Sequence, residues 1–361
     1  MKKGVIILVL LITTLSTQGQ VASGEYSTAM GYNTKASGFA STAMGSTTQA
    51  SGLYSTAMGY TTEATAQSSI AMGHRTKASE TGSTAMGYTT LASGSYSTAM
   101  GYTTTASGSY STAMGYKTEA SGHSSTAMGY TTEASGGYST AMGDNTKAIG
   151  YNSTAMGSDT KANGYNSTAM GKSTIASGSR STAMGESTTA SDYASLVIGQ
   201  YNDAGSTVTN SSTAFNIANT AFVIGNGTGT GDDAKDAFKV MFNGNTTVGK
   251  NLTVKGDVVV SSDARLKVNI VSLGATLAKL LLIEGKSYTM KKDGKQKIGV
   301  LAQDIQKVFP ELVSTDDRDM LAVNYQGLVP VLINAIKEQD SKMKEQEKRL
   351  ERLETLLSKL N

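Results

Sequence analysis

The residue types that most often carry catalysis are scarce in this chain of 361 residues. It has no cysteine, which excludes disulfides, thiolate nucleophiles and cysteine–metal sites. Its two histidines, His74 and His123, lie at variable positions with no Ser/Asp pair or metal-ligand grouping beside them. Both are therefore expected on the surface, and neither a metal nor another cofactor is predicted. No pair of carboxylates recurs in the pattern of a glycosidase cleft.

The net charge of +3 and the low share of charged residues, 16%, argue against nucleic-acid binding. No basic stripe runs along the chain, so a nucleic-acid partner is not expected. Trp is absent and Phe occurs only 6 times, whereas Gly occurs 40 times. The first two hundred residues therefore lack the large side chains of a conventional enzyme core, and another principle must order them.

The N-terminus has the pattern of a secretory signal peptide. Lys2 and Lys3 precede an apolar run over residues 5–12, which a polar stretch of small residues follows. This run is too short for a bilayer core of about 30 Å. We interpret residues 1–22 as a signal peptide, cleaved between Gly19 and Ser23, and expect an exported protein, extracellular or on the outer cell surface. No later apolar run is long enough to predict a transmembrane helix in the mature chain.

A five-residue motif, STAMG, recurs every 14 residues from Ser27 to Ser195. Thirteen copies follow one another without insertion, the last as SLVIG, and every copy ends in Gly. Fourteen residues cannot hold two packed helices, so each copy predicts one coil of a β-solenoid with two short strands and two turns. Coils in register lie about 4.8 Å apart, which predicts a rod of roughly 60 Å.

Substitutions within the motif indicate which side chains lie inside a coil. The second position is Thr but also Ile70 and Leu196, and the fourth is Met except at Ile198. Side chains alternate along a strand, so these positions share one face, which we interpret as buried. Each coil would then bury mainly one Met, two Ala and some Thr methyl groups. A core this thin predicts that sister chains pack against its Met or Ala face.

The repeats resemble the head of trimeric autotransporter adhesins, whose SVAIG-type coils wind into a left-handed parallel β-roll. The resemblance covers residues 24–199 and implies a homotrimeric head, which we assign to residues 23–199. Met stands where that family usually has Ile, and the family's C-terminal membrane barrel has no counterpart here. Residues 200–261 are interpreted as a β-rich neck or cap, with strands at 221–224, 237–242 and 246–260.

The last hundred residues combine short elements with one long helix. An amphipathic stretch at 273–282, a strand pair near 287–290 and 297–301, and a short helix ending at Phe309 are predicted. A long helix over about 327–360 carries apolar residues and two Gln at alternating spacings of 3 and 4, the pattern of a coiled-coil seam. The seam residues are Val329, Leu332, Ile336, Gln339, Met343, Gln346, Leu350, Leu353, Leu357 and Leu360.

Residues 262–361 resemble the peptidase S74 domain, an intramolecular chaperone at the end of phage tailspikes and of some membrane-bound regulators. The motifs are SDARLKVNI from Ser262, GVLAQDIQKVFPELV from Gly299 and VNYQGLVPVLINAIKE from Val323. In that family the chaperone trimerises, guides the preceding fibre into register and then cuts itself off. The resemblance implies a Ser–Lys dyad with Ser262 as nucleophile, Lys267 as general base, and the bond between Ser261 and Ser262 as the cleavage site.

Chemistry sets a condition on this dyad. A serine hydroxyl needs an adjacent base, and a lysine, with a usual pKa near 10.4, accepts a proton only when burial favours its neutral form. Residues five apart face each other on neither a helix nor a strand, so a bend at residues 263–265 must join Ser262 to Lys267. The alternative is structural: Ser262 or Asp263 caps a helix and Lys267 lies on its surface.

Together these features predict a mostly β, homotrimeric surface fibre whose small α+β chaperone, ending in a coiled coil, cleaves itself off once. No activity on external substrates is expected. Tyrosines recur at two corners of the coils and could contact a host surface, a glycan or a matrix protein, or merely stack along the rod. One corner has Tyr32, Tyr60, Tyr88, Tyr102, Tyr116 and Tyr130, and the other has Tyr26, Tyr54, Tyr96, Tyr110 and Tyr138. A phage-type receptor-binding tail fibre is the alternative, against which the signal peptide argues. An ice-binding solenoid is a remote one, because charged residues interrupt its Thr rows.

Overall fold

The computed structural model describes residues 19–204, 211–291, 294–315 and 319–359. The chain forms two compact units, which divide between Thr253 and Val254. Residues 1–18 of the predicted signal peptide lie outside the described residues. Each unit is described separately below.

The first unit is a parallel β-solenoid, which confirms the mostly β prediction. Each coil adds a five-residue strand to one sheet of 16 strands and a two-residue strand to another of 13. Coils stack in register, so that Thr84 lies beside Thr98 and Met86 beside Met100. The long strands are Thr28–Tyr32, Thr42–Ser46, Thr56–Tyr60, Ile70–His74, Thr84–Tyr88, Thr98–Tyr102, Thr112–Tyr116, Thr126–Tyr130, Thr140–Asp144, Thr154–Ser158, Thr168–Lys172, Thr182–Glu186 and Leu196–Gln200. The short strands are Val21–Ala22, Lys35–Ala36, Gln49–Ala50, Glu63–Ala64, Lys77–Ala78, Leu91–Ala92, Thr105–Ala106, Glu119–Ala120, Glu133–Ala134, Lys147–Ala148, Lys161–Ala162, Ile175–Ala176 and Thr189–Ala190.

The interior of the coil is built from small side chains. Between the first and the last copy of the motif both Ala of each repeat are fully buried, as at Ala99 and Ala106, together with a Ser and a Thr such as Ser97 and Thr104. Ala29 of the first copy is partly buried, and Val197 replaces the strand Ala in the last. The prediction that Met lies inside its own coil is wrong. Met100 points to the opposite, outer face of its strand and is only partly buried, because a coil this narrow has room only for methyl and hydroxymethyl groups.

Glycine permits the close stacking of the coils. Gly31 has φ of +120°, and a Cβ on it would lie 1.9 Å from the carbonyl oxygen of Gly45 in the next coil. A Cβ on Gly38, at the other end of the coil, would lie 2.0 Å from the Gly52 oxygen. At the Gly31 position, the positive φ and the close oxygen together explain why Gly closes every copy of the motif. The Gly38 position is mostly Gly but holds Ala66, Glu80 and Asp192 in other coils.

The solenoid continues for one rung beyond the sequence repeat. The strand Thr220–Asn226 pairs in parallel with Leu196–Gln200, with Val223 beside Val197 and Gly225 beside Gly199. The prediction that the coil pattern ends at Gly199 therefore misses a rung, because 26 residues rather than 14 separate it from its predecessor.

Side chains complete the hydrogen bonding at this end of the solenoid. The Asn202 amide accepts from the Thr189 N–H at 2.7 Å and donates to the Thr189 carbonyl at 3.1 Å. It thereby replaces the backbone of the next short strand. Asp192, which is fully buried, accepts from the Thr220 N–H at 2.7 Å. Burial raises the pKa of the Asp192 carboxyl, and the hydrogen bond from Thr220 opposes that shift in part.

The predicted neck contains less strand than expected. Asp236–Met241 pairs antiparallel with Thr220–Asn226 and with Thr246–Val248, and Gly231–Asp233 forms a 3₁₀ turn. The predicted strand at 246–260 ends at Val248, because no neighbouring strand of the unit pairs with the described residues beyond it. Residues 205–210 of this predicted neck lie outside the described residues.

The C-terminal unit is small and mixed. Two antiparallel pairs, Lys286–Thr289 with Gln296–Gly299 and Val313–Thr315 with Leu321–Val323, accompany three helices. The helices are α1 (Leu277–Leu280), α2 (Ala302–Val308) and α3 (Leu328–Leu357). The 3₁₀ turns are Ala264–Leu266, Pro310–Leu312 and Tyr325–Gly327. The amphipathic stretch predicted at 273–282 is helical only in α1, whereas the strand pair and the long helix agree with prediction within a few residues.

The core of this unit is formed around one face of α3. Ile305, Phe309 and Val331 are buried together, with partly buried residues such as Leu280 and Val300 packed against them. The predicted seam lies on another face of α3 and is exposed in the single chain, with Ile336 at 65%. The last predicted seam residue, Leu360, lies outside the described residues.

Candidate functional site

A short turn connects the two residues of the predicted dyad. Asp263 caps the 3₁₀ helix Ala264–Leu266 by accepting a hydrogen bond from the Arg265 N–H at 2.8 Å. The N–H of Leu266 donates to the Asp263 carbonyl at 3.1 Å, and that of Lys267 donates to the Ala264 carbonyl at 3.1 Å. This turn reverses the chain direction and is the bend that the spacing of five residues required.

The turn brings Ser262 and Lys267 into contact. Lys267 Nζ lies 2.7 Å from Ser262 Oγ and 3.1 Å from the Ser262 carbonyl oxygen. A nucleophile and its base must lie within this distance of each other. The features expected from a purely structural role are also present: Asp263 caps a helix, and Lys267 is exposed in the single chain.

An ion pair stabilises the turn. The Arg265 guanidinium contacts both carboxylate oxygens of Asp263, with its Nη2 at 2.6 Å from Oδ2 and its Nε at 3.1 Å from Oδ1. Hydrogen bonds from the Arg265 side chain and then from its backbone lower the pKa of Asp263. The cap therefore stays ionised well into the acid range. Sequence reasoning placed the bend here but missed Arg265, whose guanidinium contacts Asp263.

Large apolar side chains flank the dyad on both sides and are exposed to solvent in the single chain. Val258, Val259 and Val260 precede it, with Val259 at 88% exposure, and Leu266 and Val268 follow or lie within the turn. Contiguous exposed apolar surface of this kind often marks an interaction site.

The chain segment after the dyad is attached to the long helix. Thr276, which is buried, donates from its backbone N–H and its hydroxyl to the carboxylate of Glu338 on α3. The Thr276 hydroxyl also lies 3.2 Å from the Val331 carbonyl. These hydrogen bonds lower the pKa of Glu338, with the backbone bond as the main cause. The segment that carries Lys267 is thus connected directly to the helix that carries the predicted seam.

Aromatic rings form two ladders on the solenoid, as the stacking alternative predicted. The first, the parallel ladder, has ring centroids 4.6–5.1 Å apart and interplanar angles of 18° or less. Tyr32 does not belong to it, because Ser46 occupies the rung in between. The parallel ladder consists of Tyr60, His74, Tyr88, Tyr102, Tyr116 and Tyr130.

The second, the mixed ladder, lies at the other corner and has centroids 5.3–5.7 Å apart. Three of its contacts are tilted or edge-to-face, with interplanar angles of 58–74°. Sequence reasoning followed one column of residues and missed His123, Tyr151 and Tyr165, which occupy the neighbouring column. The mixed ladder consists of Tyr96, Tyr110, His123, Tyr138, Tyr151 and Tyr165.

Two further observations concern the described residues. No cluster of three or more His, Cys, Asp or Glu side chains among them has an arrangement that could hold a metal ion. Across the same ranges, no helix combines the length and the apolar character needed to cross a bilayer.

Comparison with known families matches the chain in two regions. Residues 22–202, about half of the chain, match the YadA head domain repeat in seven consecutive spans. Residues 262–314 match the chaperone of endosialidase, the peptidase S74 family of self-cleaving chaperones.

Curated relatives are phage tail fibres. The chain is 36% identical over 92 residues to the long tail fiber protein Gp37 of Escherichia phage AR1, covering 23% of this chain and 8% of that protein. It is 33% identical over 99 residues to the proteins of the same name from Enterobacteria phages M1 and Ox2, covering 25% of this chain and 39% of each. The chain thus spans less than two fifths of the length of these relatives. It is a fibre protein of the adhesin type, in which YadA head repeats precede a domain of the endosialidase-chaperone family.

Proposed function

We propose that this chain is an exported, homotrimeric surface fibre whose C-terminal domain drives trimerisation and then removes itself by cutting between Ser261 and Ser262. The observation that carries the proposal is the 2.7 Å contact between Lys267 Nζ and Ser262 Oγ, directly after the scissile bond. The proposed domains are the signal peptide at 1–22, the head at 23–199, the neck at 200–261 and the chaperone at 262–361.

The proposed reaction needs only these two side chains and water. Ser262 Oγ adds to the carbonyl carbon of Ser261 while its proton passes to the neutral amine of Lys267. The cyclic intermediate collapses when the C–N bond breaks, and the Ser262 nitrogen takes the proton back from the ammonium. Water then hydrolyses the Ser261 ester, which leaves a carboxylate on Ser261 and a free hydroxyl and amino group on Ser262.

Assembly supplies the condition that the single chain lacks. In the single chain Lys267 is exposed to solvent. Sister chains that cover Val259, Val268 and their neighbours would also remove water from the amine and favour its neutral form. Cleavage would therefore follow completed trimerisation, and the self-removal would happen once per chain.

Two surfaces support three-fold packing. The seam of α3 carries Ile336, Met343 and Leu350, all more than half exposed in the single chain. On the solenoid, partly buried Met side chains such as Met86 and Met100 form an apolar row along the outer face of the long strands. In the proposed trimer, three such rows meet and bury the methionines that the coils leave outside.

The direct test is expression of the full chain with Ser262→Ala and, separately, with Lys267→Ala. Both variants should stay full length, and Lys267→Arg should also stay uncut because a guanidinium keeps its charge. Intact mass and native size are the measurements, with the parent expected as trimers of fragments that end at Ser261. Cleavage by either alanine variant would refute the dyad.

Two control variants isolate the chemistry from the fold. Ser261→Ala keeps the nucleophile and the base and should be cut, whereas Lys279→Ala removes a lysine of the same unit that lies away from the dyad. A soluble, uncut monomer of the parent chain would contradict both the assembly and the cleavage.

A phage-type tail fibre is the second candidate, and the tail fibre relatives favour it. Export separates the two functions, because a virion protein assembles in the cytoplasm. Fractionation of cells of the source organism, with N-terminal sequencing of the fibre, is the test. The surface fibre predicts a processed N-terminus between Gly19 and Ser23, where the predicted signal peptide ends. An unprocessed cytoplasmic chain would favour the tail fibre.

A further inference from the structure

The mixed ladder keeps one aromatic ring on each of six successive coils by switching between two adjacent columns. Tyr138 follows Gly137 in one coil, and Tyr151 precedes Asn152 in the next. A Cβ on Gly137 would lie 2.9 Å from the Tyr151 ring, so glycine at that position leaves room for the ring of the next coil. The corner therefore presents an unbroken row of rings about 24 Å long.

The two ladders differ in which part of the ring they expose. In the parallel ladder each ring covers the faces of its neighbours, so mainly edges and hydroxyls reach solvent. In the mixed ladder, His123 is turned by 63° from Tyr110 and by 58° from Tyr138, and Tyr151 by 74° from Tyr138. Rings turned in this way leave part of their faces clear, and Tyr110, Tyr138 and Tyr151 are 45–58% exposed.

The mixed ladder is also free of charged side chains. In the two columns from Ser95 to Asn166, every residue other than the rings is Ser, Gly or Asn. Asn152 and Asn166 stand beside Tyr151 and Tyr165 and carry amides that can both donate and accept hydrogen bonds. An aromatic row edged with small neutral polar groups complements a ligand that has apolar faces and hydroxyl edges but no charge.

We propose that the mixed ladder binds a neutral glycan chain lying along the solenoid axis. The C–H face of a sugar ring packs on an exposed aromatic face, and its hydroxyls bond to phenol, serine and asparagine groups. An extended 1,4-linked hexose chain advances by one sugar over a length close to the rung spacing, so contacts repeat from coil to coil. The inference deepens the proposed fibre function, because it assigns a ligand class and a surface to the head.

The test is binding of the full chain to neutral hexasaccharides, cellohexaose and chitohexaose, with hexagalacturonate as the acidic comparison. The variant Tyr110→Ala/Tyr138→Ala/Tyr151→Ala should weaken neutral binding at least tenfold. The matched control Tyr88→Ala/Tyr102→Ala/Tyr116→Ala removes as many rings from the parallel ladder and should bind like the parent. Tyr138→Phe keeps a ring face and should lose less affinity than Tyr138→Ser, a single change that guards against misfolding of the triple variant.

Three results would overturn the inference: no binding of either neutral hexasaccharide, equal losses in the two triple variants, or preference for hexagalacturonate. Intact mass and native size of the same samples separate this inference from the proposed function. A cleaved trimer that binds no neutral glycan refutes the ladder alone, whereas an uncut monomer refutes the fibre mechanism.

Discussion

The repeat solenoid and the C-terminal unit treat their apolar groups in opposite ways. Inside each coil the buried residues are small, and the larger Met and Tyr side chains stay on the outside. In the C-terminal unit the core is built around three buried residues, Ile305, Phe309 and Val331. Leu266, Val268 and Ile336 are much more exposed there than a folded single chain normally allows.

The difference indicates which interactions hold each unit in its folded arrangement. A coil is fixed by hydrogen bonds to the coils beside it, so its order comes from repetition along one chain. The C-terminal unit has a small core of its own and leaves apolar side chains such as Ile336 exposed, which the proposed trimer would cover. A fibre with a self-ordering rod still needs a domain that selects how many rods meet and in which register.

The largest effect is expected from enlarging the interior of a coil. Ala99 is fully buried between Ala85 and Ala113 of the adjacent coils, so Ala99→Leu should destabilise the solenoid by about 3 kcal/mol or more. Met100→Leu, on the outer face of the same strand, is the control and should change stability little. Thermal melting followed by circular dichroism measures both, and an unaffected Ala99→Leu variant would contradict the small-residue core.

The next largest effect concerns association. Ile336→Asp places a charge on the seam of α3 and should abolish both trimers and cleavage while each unit stays folded. Lys337→Asp, one residue along and outside the seam, should assemble and cut normally. Native mass and denaturing gels are the measurements, and cleavage in an Ile336→Asp monomer would uncouple the chemistry from assembly.

The turn that holds the dyad gives a smaller effect. Asp263→Ala removes the cap and the Arg265 ion pair, so the population of the reactive turn, and with it the cleavage rate, should fall roughly fivefold. Asp263→Asn retains a capping oxygen and should restore part of the rate. Asp257→Ala, an exposed acid before the turn, is the control, and an undiminished rate in Asp263→Ala would exclude this positioning role.

A rise in pH should change the stabilities of the two units in opposite directions. Burial raises the pKa of Asp192, so its contribution to solenoid stability is largest in acid and is lost as pH rises through that pKa. Hydrogen bonds lower the pKa of Glu338, so its contribution to the C-terminal unit is lost as pH falls through that pKa. Asp192→Asn and Glu338→Gln should each flatten the pH dependence of their own unit's melting transition and leave the other unit's unchanged. A change in the wrong unit would refute the assignment.

The smallest effect tests backbone strain in the turns. Thr89 is β-branched yet has φ of +52°, a conformation that asparagine adopts more readily. Thr89→Asn should therefore stabilise the solenoid by about 0.5 kcal/mol. Asn145 occupies the equivalent turn with φ of +50°, and Asn145→Thr should destabilise it by a similar amount. If both variants melt at the same temperature as the parent chain, the turns carry no such strain.

Sequence predicted the repeating part of the fold and could not orient its faces. The 14-residue period predicts the length of each coil. The substitution of Met by Ile198 shows that the position is apolar, but it does not show whether the side chain lies inside its own coil or on the outer face. The rung Thr220–Asn226 escaped notice because an insertion breaks the period before it. For the site, family motifs pointed to Ser262 and Lys267, whereas their distance depends on a 3₁₀ turn and on Arg265, which spacing alone does not specify.

The stacking of identical rungs has a consequence for how this protein can change over generations. Because each coil bonds only to its two neighbours, whole coils can be gained or lost by recombination between repeats without disturbing either end. Each such event would lengthen or shorten the rod by about 4.8 Å. The length of the rod could thus be adjusted in fixed increments while the C-terminal domain stays the same.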